Sequence, residues 1–213
     1  MSGTIYFSRN SIPFGVSWEE WAARWWIWCL NQGEERSPAL DGSGSRCQQD
    51  QIYPQVWFLA GTFGDKAIRR CQVPSGKALF FPIVNDLISF FEYPMINTET
   101  ELQNYAMRDL DTTTSLSVTI NGLSLGGLMD FRVQTNIFEI KVPFEPDSRN
   151  HSYTNAVSDG YWMFLKPLSL GRHRILIRGE KLAYDEVGLN SSMTSKTFTV
   201  EVDYFLDVIH DKK

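Results

Sequence analysis

Ser17-Trp18-Glu19-Glu20-Trp21-Ala22-Ala23-Arg24-Trp25-Trp26-Ile27-Trp28-Cys29-Leu30 decides how the rest of this chain must be arranged, because it carries five of the seven tryptophans. Indole rings are costly to leave in water, so the stretch has to be packed against something. Trp18, Trp21, Ala22, Trp25, Trp28 and Cys29 recur at helical spacing and form one continuous stripe. Ser17 and Glu20 stand at capping-box spacing: the serine oxygen accepts from the amide three residues on, and the glutamate reaches back to the serine amide. The spacing predicts a helix over 17–30 that docks on a core through its stripe. Trp26 and Arg24 fall off the stripe, and with Glu20 they are candidates for the wall of a ligand pocket. For Arg24, a purely structural ion pair is the plainer alternative.

Working outward, residues 1–16 read as an extended lead-in with a turn at Ile12-Pro13-Phe14-Gly15. Residues 31–51 form a polar stretch without periodicity, long enough to be either functional or mobile. Val56-Trp57-Phe58-Leu59-Ala60-Gly61 and the run from Lys77 to Val84 are short, apolar and rich in β-formers, and turn residues such as Pro74-Ser75-Gly76 bound them. They are predicted as buried strands. Thr98 and Glu101 repeat the capping-box spacing ahead of Leu102, Tyr105, Ala106 and Leu110, which predicts a shorter helix over about 98–110. Beyond it the period becomes two. Leu116, Val118 and Ile120 lead to the hairpin dipeptide Asn121-Gly122, and Phe138, Ile140 and Val142 alternate with polar residues. Gly160 to Leu165 is continuously apolar, His173 shares a strand face with Ile175 and Ile177, and Phe198 to Val208 alternate to the end of a long strand. The expected architecture is mainly β: a single domain over 1–213, an antiparallel β-sandwich or jelly roll, with the tryptophan helix covering an open face or end.

The 213 residues carry a formal charge of −5, with 21% charged and 43% apolar side chains. That balance argues against nucleic acid, whose phosphates need clustered Lys and Arg. The basic run from Arg172 to Arg178 alternates along a strand and reads as a solvated face. No apolar run reaches the 18 residues of a membrane span, and the first residues lack the charged and apolar regions of a signal peptide. The chain as written is therefore expected to be cytoplasmic and not membrane-bound. Asn150-His151-Ser152 and Asn190-Ser191-Ser192 match the N-glycosylation pattern, which without a secretory route is read as chance. Of three cysteines, Cys29 reads as a small buried hydrophobe, whereas Cys47 and Cys71 flank a predicted strand and are candidates for a bridge. In a reducing cytosol all three would be thiols.

Three blocks together resemble a known group. They are Trp18 to Trp28; Cys47 with Val56 to Gly64, Arg70-Cys71 and Val73 to Ile83; and Val157 to Trp162 with Leu165-Lys166-Pro167-Leu168 and Gly171-Arg172-His173. The pattern is similar to that of an uncharacterised group of bacterial proteins, most with export signals, and it spans most of the chain. The resemblance implies that Cys47 and Cys71 pair. It implies no activity, and this chain departs from the group in lacking the export signal.

His151, His173 and His210 lie at no metal-binding spacing from one another or from a cysteine pair, so no metal site is expected. No phosphate-cradling glycine turn and no nucleophile elbow is present, and no cofactor is expected. What remains is carboxylates among aromatics. Glu92 lies between Phe90-Phe91 and Tyr93, where a pocket mouth would raise its pKa, though a surface carboxylate is the alternative. Asp159 precedes Gly160-Tyr161-Trp162 and is either an orienting group or a turn residue. His173 is either an acid or base or a hydrogen-bonded structural histidine. The candidate ligand-binding set is Arg24, Trp26, Trp57, Tyr161 and Trp162. The functional expectation is a small-molecule pocket protein, a cofactor-independent acid–base enzyme of the isomerase, cyclase or hydrolase kind, with Glu92 or His173 as acid or base and Asp159 as orienter. The alternative is a non-catalytic ligand- or carbohydrate-binding module, and a third is a structural protein that uses the aromatic helix as a partner surface.

Overall fold

The computed structural model describes residues 4–142, 152–182 and 197–211. In chain order the elements are α1 (Trp18–Asn31), β1 (Val56–Phe58), β2 (Lys66–Pro74), β3 (Ala78–Ser89), α2 (Glu99–Leu110), β4 (Thr113–Ile120), β5 (Leu123–Ser124), β6 (Arg132–Gln134), β7 (Phe138–Lys141), β8 (Tyr153–Leu165), β9 (Gly171–Leu182) and β10 (Thr197–Ile209). Two five-stranded sheets pack together. One runs β1-β3-β8-β6 with β7 also on β8; the other runs β2-β10-β9-β4-β5. The expected antiparallel pairing is corrected in part: β1 lies parallel to β3 and β2 parallel to β10, so both sheets are mixed. Alternating hydrophobicity reports which face of a strand is buried and carries no information about its direction.

Ser17 caps α1 by accepting from the Glu20 amide at 3.2 Å, but the Glu20 carboxylate turns to Arg24 instead of closing the box. At α2 the box is complete between Thr98 and Glu101. Every residue of the predicted stripe on α1 is buried, and so are Ala23 and Trp26 beside it. The buried indoles also make directional contacts. Trp21 donates to the Pro13 carbonyl, Trp25 to that of Leu59, and Trp28 to that of Gln49. Trp162 of β8 stacks on Phe80 of β3 at 5.1 Å, with Trp25 edge-on at 5.4 Å. Asn121 and Gly122 both take positive φ in the tight turn between β4 and β5, as the hairpin dipeptide requires.

β2 was not legible as a strand, although its inward residues alternate, because one of them is Arg69. This guanidinium is 1% exposed and is satisfied by carbonyls: Ala39 at 3.0 Å, Asp41 at 2.7 Å and Ala60 at 2.6 Å, with the Tyr204 hydroxyl at 2.9 Å. The Cys47–Cys71 disulfide, with Cα atoms 6.0 Å apart, ties the same loop to β2. The polar stretch after α1 is thus fastened at two places. Cys29 is buried and free, and burial pushes its thiol up to about 12.

Two features of β3 prepare the site. At Gly179 of β9 the sheets touch: a Cβ there would sit 2.6 Å from the Ile83 carbonyl oxygen and 2.7 Å from the Val84 Cβ. Only glycine permits that approach, and it brings the following residues of β9 against β3. Meanwhile β1 pairs only with Ala78 to Phe80, so among the described residues the only strand beside β3 from Pro82 to Ser89 is β8.

Candidate functional site

Beside that open stretch of β3 lies a cleft of about 570 Å³. Trp25 and Trp26 of α1, Phe63 after β1, Phe91 and Tyr93 after β3, Tyr105 of α2 and Phe198 of β10 give it aromatic walls. Its charged lining is Asp86, Glu92, Asp109 and Lys181. Each is placed by the periodicity of its element. Asp86 interrupts the apolar run of β3, Asp109 continues the Leu102–Ala106 stripe of α2, and Lys181 continues the inward face of β9 two residues beyond Gly179.

Lys181 is 5% exposed, and its ammonium donates to Asp86 Oδ2 at 2.7 Å and to Asp109 Oδ2. Burial disfavours the ionised form of Asp86, but Asp109, Lys181 and the Leu87 amide outweigh it and hold its carboxyl below the usual range. Burial, with Asp86 as hydrogen-bond partner and negative neighbour, pushes Asp109 up to about 7 despite Lys181. Burial also works against the Lys181 charge, and the two carboxylates more than restore it, so the ammonium stays protonated above its ordinary range. Near neutral pH the cluster holds one exchangeable carboxylic proton and a fixed cation. A permanently charged lysine has no lone pair for Schiff-base chemistry.

Two of the predicted site residues line this cleft. Glu92 is exposed at its mouth, where partial burial and the Asp86 charge push its carboxyl up. No hydrogen bond or ion pair holds that carboxylate among the described residues. Trp26 forms part of the wall, its indole N–H donating to the Ser158 hydroxyl at 2.7 Å. The structure places the others elsewhere. Asp159 sits mid-strand beneath α2, 1% exposed, and accepts from Arg132 at 3.0 and 3.1 Å, from Gln134 at 3.3 Å and from the Gly160 amide at 2.8 Å. Burial pushes its carboxyl up against the pull of Arg132. The same guanidinium reaches Asp111 and the Met107 carbonyl, so this is a joint that pins the end of α2. His173 lies at the opposite end of β9 from Lys181, roughly 26 Å away at a strand's rise per residue. Its ring contacts the Ser169 carbonyl and the Asn121 amide, beside a shallow depression lined by Arg70, Arg172 and Phe205. Arg24 pairs with Glu20 at 2.9 Å and lies over Trp21 and Tyr53, outside the cleft. Trp57, Tyr161 and Trp162 are core residues.

Asp86, Asp109 and Lys181 were not singled out from the sequence. Their signal was present as charged residues in inward registers: Asp86 within Ile83-Val84-Asn85-Asp86-Leu87-Ile88, Asp109 on a helical stripe, and Lys181 in step with Ile175 and Ile177. His151 and the asparagines of both glycosylation patterns lie outside the described residues. Among the described residues no group of three or more His, Cys, Asp or Glu is arranged to hold a metal, and no helix is long and apolar enough to cross a membrane. The chain matches no protein-family model, no curated protein and no solved structure.

Proposed function

We propose that the protein binds a small organic molecule in the aromatic cleft and moves a proton on it, as a cofactor-independent acid–base enzyme of the isomerase, cyclase or hydrolase type. The observation that carries this reading is the Asp86–Asp109 pair held by Lys181 inside an aromatic-walled cavity. Asp109, near 7, is matched to proton transfer at neutral pH, because an acid or base works best when its pKa lies close to the working pH. Asp86 stays ionised beside it, and Lys181 holds the two carboxyl groups together while their proton affinities are set apart. The aromatic walls keep bulk water from the reacting bond.

A second reading has an observation of its own. Lys181 and Asp109 are both 5% exposed and satisfy one another, so the cluster also fastens α2 to two sheets and would serve a non-catalytic ligand-binding module equally well. The test begins with a ligand found by thermal-shift screening. Asp109→Asn is then expected to abolish turnover while binding persists, and to remove the limb near pH 7 from the kcat profile. If binding persists in Asp109→Asn and Glu92→Gln and neither changes any turnover, the protein is a binding module.

A further inference from the structure

The charges facing the cleft do not cancel. Lys181 is its single cation among the described residues, and that cation is already answered by Asp86 and Asp109. Glu92 at the mouth has no such partner, and burial first, then the Asp86 charge, pushes its carboxyl up. Phe91, Tyr93 and Tyr105 stand on the same cleft, and an aromatic ring offers the negative face of its quadrupole to whatever lies over it. A phosphate or carboxylate ligand would meet like charge here, with no free cation to receive it. A neutral ligand would bury its apolar body and leave Glu92 partially desolvated and unpaired.

We propose that the molecule held in this cleft is an organic cation, an alkyl- or arylammonium ion whose charge is received by Glu92 and the adjacent rings while its apolar body lies against Trp26. This rests on the cleft being the binding site, and it adds the chemical class of the ligand. The apolar part gains from leaving water. The ammonium gains from the ring faces and from the one carboxylate that lacks a counter-ion. Selectivity follows from the same asymmetry, since exchanging the cation for an anion of equal size turns each attraction into a repulsion.

The experiment uses three probes built on one ring: benzyltrimethylammonium, benzyl alcohol and benzoate. Binding to the full chain is followed by tryptophan fluorescence and by saturation-transfer NMR at low and moderate salt. The cation is expected to bind roughly fivefold or more tightly than the alcohol, with benzoate weakest and the preference fading as salt rises. Glu92 is exposed, so Glu92→Gln and Glu92→Lys should fold, which the melting curve checks. Glu92→Gln is expected to remove most of the preference for the cation and leave benzyl alcohol unchanged; Glu92→Lys should favour benzoate. If benzyl alcohol binds as tightly as the cation, and Trp26→Leu weakens both, the cleft is the site and the cation proposal is overturned. If no probe binds, or Trp26→Leu changes nothing, the cleft reading falls as well.

Discussion

Among the described residues, Lys181 alone supplies the positive charge that lets Asp86 and Asp109 lie side by side under α2. Lys181→Met keeps most of the buried stem and removes that charge, leaving two carboxyl groups facing each other. It should destabilise the fold by about 3–5 kcal/mol near neutral pH, the usual result of breaking a buried pair. The deficit should grow as pH rises above 7, because Asp109, near 7 with Lys181 in place, must hold its proton to higher pH once that cation is gone; urea unfolding at pH 6 and pH 8.5 measures this. Asp109 gives a complementary expectation. Its carboxyl rises from the usual 3.8 to about 7 in the folded protein, so between those values the folded state holds a proton that the unfolded state has lost. Stability from this group is therefore greatest below the lower value and declines as pH rises through the upper one. That interval is worth at most roughly 4 kcal/mol at about 1.36 kcal/mol per pH unit. Asp109→Asn should flatten the decline between pH 4 and 8, while the loss below the usual carboxylate range, which belongs to the depressed Asp86 carboxyl, persists. At this scale the sequence was least legible. Glu92 was singled out for its aromatic neighbours and Trp26 for falling off the helical stripe, and both line the cleft. Asp86, Asp109 and Lys181 escaped because they come together only when β3, α2 and β9 meet, and their separations along the chain carry no sign of it.

The tryptophan helix shows what periodicity does reveal and where it stops. The stripe was read correctly, yet burial spreads past it to Ala23 and Trp26, because the sheet lies under one side of α1 and the cleft wall occupies the next. Trp25 donates to the Leu59 carbonyl and meets Trp26, Trp28 and Trp162 edge-on or tilted. Trp25→Ala should therefore lower stability by about 3–5 kcal/mol, as expected for truncating a packed aromatic. Trp26→Ala also loses its bond to Ser158, but where Trp25 makes three ring contacts Trp26 makes only the one to Trp25, so the loss should be distinctly smaller. Chemical unfolding of the two variants side by side decides this; a larger deficit for Trp26 would mean that the wall of the cleft is itself part of the core. Strands with clean alternation, such as β10, were legible from side chains alone. β1 was legible as a strand and β2 was not, and the parallel pairing of β1 with β3 and of β2 with β10 was legible for neither, since pairing direction depends on chain paths remote in sequence.

For the molecule as a whole, the loop between α1 and β1 is fastened twice, through the disulfide and through Arg69. Closing a loop of 24 residues restricts the unfolded chain, so reducing Cys47–Cys71 should lower stability by roughly 3 kcal/mol. Because Arg69 still grips Ala39, Asp41 and Ala60, the near-UV circular dichroism below the melting transition should remain that of the oxidised protein. Loss of the near-UV signal on reduction would show that the guanidinium is insufficient by itself. The same arginine sets a timetable for biosynthesis. Its last partner is Tyr204, 135 positions later, on β10, which lies between β2 and β9 at the heart of its sheet. At a synthesis rate of roughly 5–20 residues per second, β2 waits on the order of 10 s after leaving the ribosome before its neighbour exists. Throughout that interval the arginine lacks its tyrosine and β2 lacks the strand it pairs with, so the nascent chain carries an unpaired edge open to misassociation.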